Sequence, residues 1–158
     1  MTHVSLDKWA VKAMIFEYIF NFGNLFVLPF WALMVLLPNW DVTRKLMASY
    51  IPFVVLAALY VYCFVASLDT DKLEDFANPT LAVLADLFSD EKVMTTGWVH
   101  FLVMDLFVGR WIYLQGQEQQ LFTRHSLALC LFAGHMGLLS HVVTVWVTPL
   151  FKKSAEAV

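Results

Sequence analysis

The chain has 158 residues, of which 60% are apolar and 15% charged, and its mean hydropathy is +0.68. Soluble domains carry about 45–50% apolar and about 25% charged residues, and one this short could not hide so much apolar side chain in a single core. Aromatic content of 16% and a net charge of −3 exclude disorder, and ten Lys plus Arg against thirteen Asp plus Glu leave no basic stripe for nucleic acid.

No segment alternates like a strand of a membrane barrel, so the expected class is all-α and polytopic. In chain order, four stretches are long and apolar enough to cross a hydrocarbon core of about 30 Å. They are Ile15–Leu37, Ala48–Ser67, Thr95–Gln115 and Leu127–Leu150, which predict a four-transmembrane-helix bundle forming one membrane domain over residues 1–158. The first is too long for a cleavable signal peptide and lacks a small-residue cleavage site. No Arg- and Ser-rich transit segment precedes it, so a bacterial or a processed organellar protein is expected. Between the second and third stretches lies an acidic loop, residues 68–94, with Asp69, Asp71, Glu74, Asp75, Asp86, Asp90 and Glu91. Within it Leu81, Leu84, Ala85 and Phe88 fall at helical spacing, which predicts a short interfacial helix. An even number of spans puts both termini on one side. Lys8, Lys12, Lys72, Lys92, Lys152 and Lys153 on that side, against Arg44, Lys45 and Arg124, favour the cytoplasm. Cys63 and Cys130 read as small packing residues, and Trp9, Trp40 and Tyr113 as an interfacial belt.

An ionisable side chain in mid-span costs about 2.5–3.5 kcal/mol on insertion scales and is a candidate for function. The first stretch places Glu17, Asn21 and Asn24 within about 60° on one helix face. The third carries His100, Asp105 and Arg110, whose five-residue spacing turns each about 140° from the last. They cannot form one stripe. By depth, at about 1.5 Å per residue, Asp105, Asn24 and His141 share a mid-level, His100 and Asn21 a shallower one, and Arg110 and His135 a deeper one near Pro29. A polar seam walled by Trp31, Trp98, Phe101, Phe107 and Trp111 follows. Asn21, Asn24, Ser140 and Thr144 read equally well as hydrogen bonds joining helices, and Arg110 as an anchor snorkelling to the interface. No cofactor or metal is expected. The histidines lack the paired boxes of a membrane di-iron site, no lysine lies within a span, and His100 and His141 differ in level too much for a haem.

The run from Asn24 through Pro29-Phe30-Trp31 to Pro38, then Trp40 and Thr43-Arg44, resembles the opening of the abscisic-acid-deficient-4-like family. The segment from Trp98 to Trp111, containing His100-Phe101, Asp105-Leu106-Phe107 and Gly109-Arg110-Trp111, resembles its most distinctive element. Gly134-His-Met-Gly137 resembles its closing motif, with His135 where Pro is more usual. The resemblance implies a membrane protein of carotenoid metabolism in plastids or cyanobacteria, whose plant relatives are associated with converting violaxanthin, an epoxide, into the allenic neoxanthin. Such an isomerisation needs an acid at the epoxide oxygen and a base at the adjacent polyene carbon. The expected roles are Asp105 as base or proton relay, His100 as acid or its partner and Arg110 as orienting cation. Glu17, Asn21 and Asn24 would meet the polar end ring, with His141 a further substrate contact. The alternative is a non-catalytic pigment-binding, assembly or photoprotection subunit of a photosynthetic membrane complex. In either case the expected partners are a carotenoid, the lipid bilayer and photosynthetic complexes or a second copy of the chain, in a cyanobacterial thylakoid or plasma membrane or a plastid membrane. A transporter is disfavoured, because four spans without a repeat offer little for alternating access.

Overall fold

The computed structural model describes the backbone of residues 3–68, 77 and 79–156, and the side chains of residues 14–68, 77 and 79–149. The acidic loop residues Asp69, Asp71, Glu74 and Asp75 lie outside these. Among the described residues there are seven α-helices and no strand: α1 (His3–Leu36), α2 (Asp41–Ala48), α3 (Ile51–Ser67), α4 (Leu81–Leu87), α5 (Glu91–Gln119), α6 (Arg124–Phe132) and α7 (Gly134–Glu156).

Two of the apolar stretches are single helices. Ile15–Leu37 lies in α1 but for its last residue, the helix staying intact through Pro29 and ending at Leu36, and Thr95–Gln115 lies inside α5. The other two are interrupted, against expectation. The second begins as the end of α2, breaks at Ser49-Tyr50 and resumes as α3. Ser49 is extended, its hydroxyl accepts from the Ile51 N–H at 3.1 Å, and Pro52 occupies the first turn of α3, where its missing N–H costs nothing. The fourth breaks at Ala133, which is extended at φ −159 and ψ 103, between α6 and α7. Gly134 and Gly137 follow the break, each weakening a helix by about 1 kcal/mol relative to alanine. The apolar run records burial or lipid contact, not an unbroken hydrogen-bond ladder.

Other boundaries follow local chemistry. Thr80 caps α4 by accepting from the Val83 N–H at 3.3 Å, so the expected short helix forms over Leu81–Leu87, with Phe88 as its C-cap. The Asp90 carboxylate accepts from the Lys92 N–H at 2.8 Å at the start of α5. Beyond the end of α5, Gln120 is left-handed (φ 53), and the Leu121 N–H reaches back to the Gly116 carbonyl at 2.9 Å.

The chain divides into two compact units, Met1–Phe26 with Val54–Leu102 and Val27–Phe53 with Val103–Val158. Phe16, Leu56, Cys63, Leu87 and Val99 form the core of the first; Trp31, Met34, Met47, Leu106, Ile112, Leu127 and Cys130 are among the core of the second. Tyr113, expected at an interface, is instead buried in the second core, where its hydroxyl donates to the Pro38 carbonyl at 2.6 Å. Much apolar surface stays outside, including Tyr18, Leu25, Phe132 and Trp146, each more than two-thirds exposed. Met14–Leu36 of α1 is long and apolar enough to cross a membrane, and α2 with α3, bent by 44°, passes the same measure as a pair. Among the described residues α5 and α7 do not reach it.

Candidate functional site

In the first unit α3, α4 and α5 line an open pocket of about 270 Å³. Its walls are Tyr60 and Phe64 from α3, Leu84, Leu87 and Phe88 from α4, and Val93, Gly97 and Phe101 from α5. His100 also lines it, with its ring centroid 5.7 Å from that of Tyr60 and 6.1 Å from that of Phe101. Two hydroxyls complete the lining. Ser67 donates to the Phe64 carbonyl at 2.9 Å, and Thr96 to the Lys92 carbonyl at 2.7 Å. Neither was singled out from sequence, because one hydroxyl near a helix end is the usual hydrogen bond back to the preceding turn. Their positions at the end of α3 and the start of α5 were the available signal, since an antiparallel pairing sets these ends level.

Nearby in the same unit, a second cavity of about 430 Å³ is lined by Phe16, Glu17 and Phe20 of α1 and by Glu91, Met94 and Thr95 of α5. Glu17 and Asn21 are exposed, whereas Asn24 is half-buried and spent on packing. Its amide donates to the Phe20 carbonyl at 2.9 Å and its oxygen accepts from the Trp98 indole N–H at 2.9 Å. The three-residue stripe of α1 is therefore divided, with Asn24 acting as the link between helices.

In the second unit the two mid-span charges of α5 serve the broken helices. Ala133 precedes α7 and offers no side-chain acceptor, so the first N–H groups of that helix lack a local cap. The Asp105 carboxylate accepts from the Gly134 N–H and supplies the cap from another helix, with the His135 side chain within electrostatic range. A β-carbon at position 134 would collide with Asp105 Oδ1, so glycine here lets the carboxylate approach without shifting. At the other break, Arg110 Nε donates to the Met47 carbonyl at 2.5 Å and its Nη2 to the Ala48 carbonyl at 3.5 Å. Its guanidinium also lies 4.8 Å from the Tyr50 ring centroid and 5.8 Å from that of Phe53. The anion meets a helix N-terminus and the cation a helix C-terminus, the signs that the helix dipole favours. His100, Asp105 and Arg110 thus face three different partners, as their spacing requires.

The remaining expected site residues of the second unit make contacts within it. Trp31 is buried against Gly109, Phe107 meets Phe53 edge-on at 5.8 Å, and Trp111 meets His141 edge-on at 5.2 Å. His141 is fully buried, with Nε2 2.6 Å from the Gln115 side-chain oxygen. Ser126 and Ser140 pair at 3.0 Å, and His125 and Thr144 at 2.9 Å, joining α6 to α7.

These features define a small helical protein with more apolar surface than its cores absorb, an aromatic pocket bearing an imidazole, and charges placed at interrupted helices. The family model described as ABA DEFICIENT 4-like matches residues 18–141, and the chain belongs to that family. It is similar to Protein ABA DEFICIENT 4, chloroplastic, of Arabidopsis thaliana, at 38% identity over 142 residues. That match covers 87% of this chain and 64% of the relative, so the chain spans less than two-thirds of the relative's length. No solved structure matches it.

Proposed function

We propose that the chain is a membrane-embedded, cofactor-independent carotenoid isomerase, acting on an epoxidised xanthophyll in a photosynthetic membrane of plastid or cyanobacterial type. In this reading all four apolar stretches lie in the bilayer, two of them as interrupted spans. Large apolar side chains exposed along α1, α3 and α7 support it, because lipid is the solvent that such a surface suits. The chloroplastic relative supports the location.

The observation that carries the reading is His100 at the wall of an apolar, aromatic pocket in a member of this family. Imidazole both gives and takes protons near neutral pH. Opening an epoxide to an allenic alcohol moves one proton onto oxygen and removes one from carbon, so one group can donate in the first step and recover in the second. The carbon–oxygen bond breaks, an O–H forms, and the electrons of the lost C–H become the new double bond. Asp105 and Arg110 act at a distance from this chemistry, by holding the breaks at Ala133 and Ser49-Tyr50. Trp98 and Phe101, both partly exposed, offer aromatic surface to the polyene.

The commitment of Asn24, Asp105 and Arg110 to helix contacts also favours a second reading, a pigment-binding subunit that performs no reaction. Expression in a host supplied with epoxidised xanthophylls separates the two. Appearance of the allenic product by chromatography, and its loss in His100→Gln, supports the isomerase. Unconverted pigment co-purifying at fixed stoichiometry supports the binder.

A further inference from the structure

We propose that the pocket beside His100 is a subsite for a hydroxylated cyclic end group, and that Ser67 and Thr96 select the ring hydroxyl as a hydrogen-bond donor. The inference rests on the carotenoid reading above and adds to it the group that is recognised and the residues that recognise it.

Size is the first ground. At about 270 Å³ the cavity lies below the roughly 300–1,000 Å³ of sites that enclose a whole drug-sized ligand. It accommodates a single substituted ring and leaves a long polyene outside. The walls are apolar and aromatic, with Phe64 and Phe88 from two different helices facing the space. A methylated ring fits that lining better than a charged or extended polar group would.

The second ground is where the hydroxyl protons point. A hydroxyl has one proton and two lone pairs. Ser67 spends its proton on the Phe64 carbonyl at 2.9 Å, and Thr96 spends its own on the Lys92 carbonyl at 2.7 Å. Ser67 and Thr96 both line the cavity, and Thr96 Oγ1 also donates to Ser67 Oγ at 3.5 Å, so with both protons engaged what the pair has left for a ligand is acceptor capacity. An alcohol brings the missing proton. A ring ether brings only more lone pairs, and an unsubstituted ring leaves that remaining acceptor capacity unused.

The test uses the full chain purified in detergent and three carotenoids sharing one polyene: a ring diol, its bis-methyl ether and the unsubstituted hydrocarbon. Equilibrium titration followed by quenching of tryptophan fluorescence gives the three affinities. The diol should bind at least about tenfold more tightly than the ether or the hydrocarbon, the size of one lost buried hydrogen bond. Thr96→Val with Ser67→Ala should bring the three affinities together, whereas Thr96→Ser should keep the diol preference. Equal affinities in the unaltered chain, no pigment bound, or a diol preference surviving the double substitution would each overturn the proposal. The ligand series needs no variant, so a misfolded double substitution leaves it decisive. Diol preference without conversion in the xanthophyll-supplied host fails the isomerase reading alone. Conversion without diol preference fails this inference alone.

Discussion

The polar groups of α5 are used differently along its length. In the first unit His100 and Thr96 line a cavity that a ligand can fill, and the His100 ring packs against that of Tyr60. In the second, Asp105 and Arg110 end on the backbone of other helices, at the start of α7 and the end of α2. A charge within an apolar stretch is a sound pointer to function, but a helix terminus exposed by a break is an equally strong demand for one. Which demand applies depends on whether the facing helices are continuous, and hydropathy does not report that.

The difference can be broken or sharpened by substitution, and the largest effect belongs to the first unit. His100→Gln should lower conversion by about 10²–10⁴-fold, the usual contribution of a positioned acid–base group, while changing unfolding stability by less than about 0.5 kcal/mol. Retained conversion in that variant would move the chemistry elsewhere. In the second unit Asp105→Ala should cost about 2–3 kcal/mol of stability, by removing a charged cap and orphaning the Gly134 N–H. Gly134→Ala should cost about 2 kcal/mol in the unaltered chain and much less beside Asp105→Ala, because the collision is with that carboxylate. A double-mutant cycle followed by denaturant unfolding measures this coupling, and additive costs would contradict it. Arg110→Met should cost about 1–2 kcal/mol through the lost α2 carbonyl contacts and ring contacts, with Arg110→Lys intermediate in the same unfolding measurement. The smallest effect is a gain: Gln120→Gly should raise stability by about 0.5 kcal/mol, since glycine occupies the left-handed conformation without steric cost.

Much of the architecture was legible in the sequence. The apolar stretches coincide with helices, the spacing of Leu81 and Leu84 located α4, and the five-residue spacing of His100, Asp105 and Arg110 foretold their divergent directions. The interruptions at Ser49-Tyr50 and Ala133 were not read, although Pro52, Gly134 and Gly137 stand beside them. Each of those residues is tolerated within a helix in membranes, so none by itself marks a break. The depth layers placed Asn24 level with Asp105 and His141, whereas hydrogen bonding ties Asn24 to Trp98 and His141 to Gln115. Depth along an axis says nothing of azimuth, and azimuth selects the partner. Ser67 and Thr96 escaped notice for the opposite reason: hydroxyls bonded to their own helix are common, and only the cavity distinguishes these two.

The most direct test of the account compares His100→Gln and Asp105→Asn side by side, with pigment analysis in a host supplied with epoxidised xanthophyll and a melting curve for each purified variant. Asparagine keeps an acceptor for the Gly134 N–H but no longer serves as a base. Asp105→Asn should still form the allenic product with a modestly lowered melting point, and His100→Gln should form none with its melting point unchanged. Product lost in Asp105→Asn at normal stability, with product retained in His100→Gln, would contradict the account and return the chemistry to the second unit.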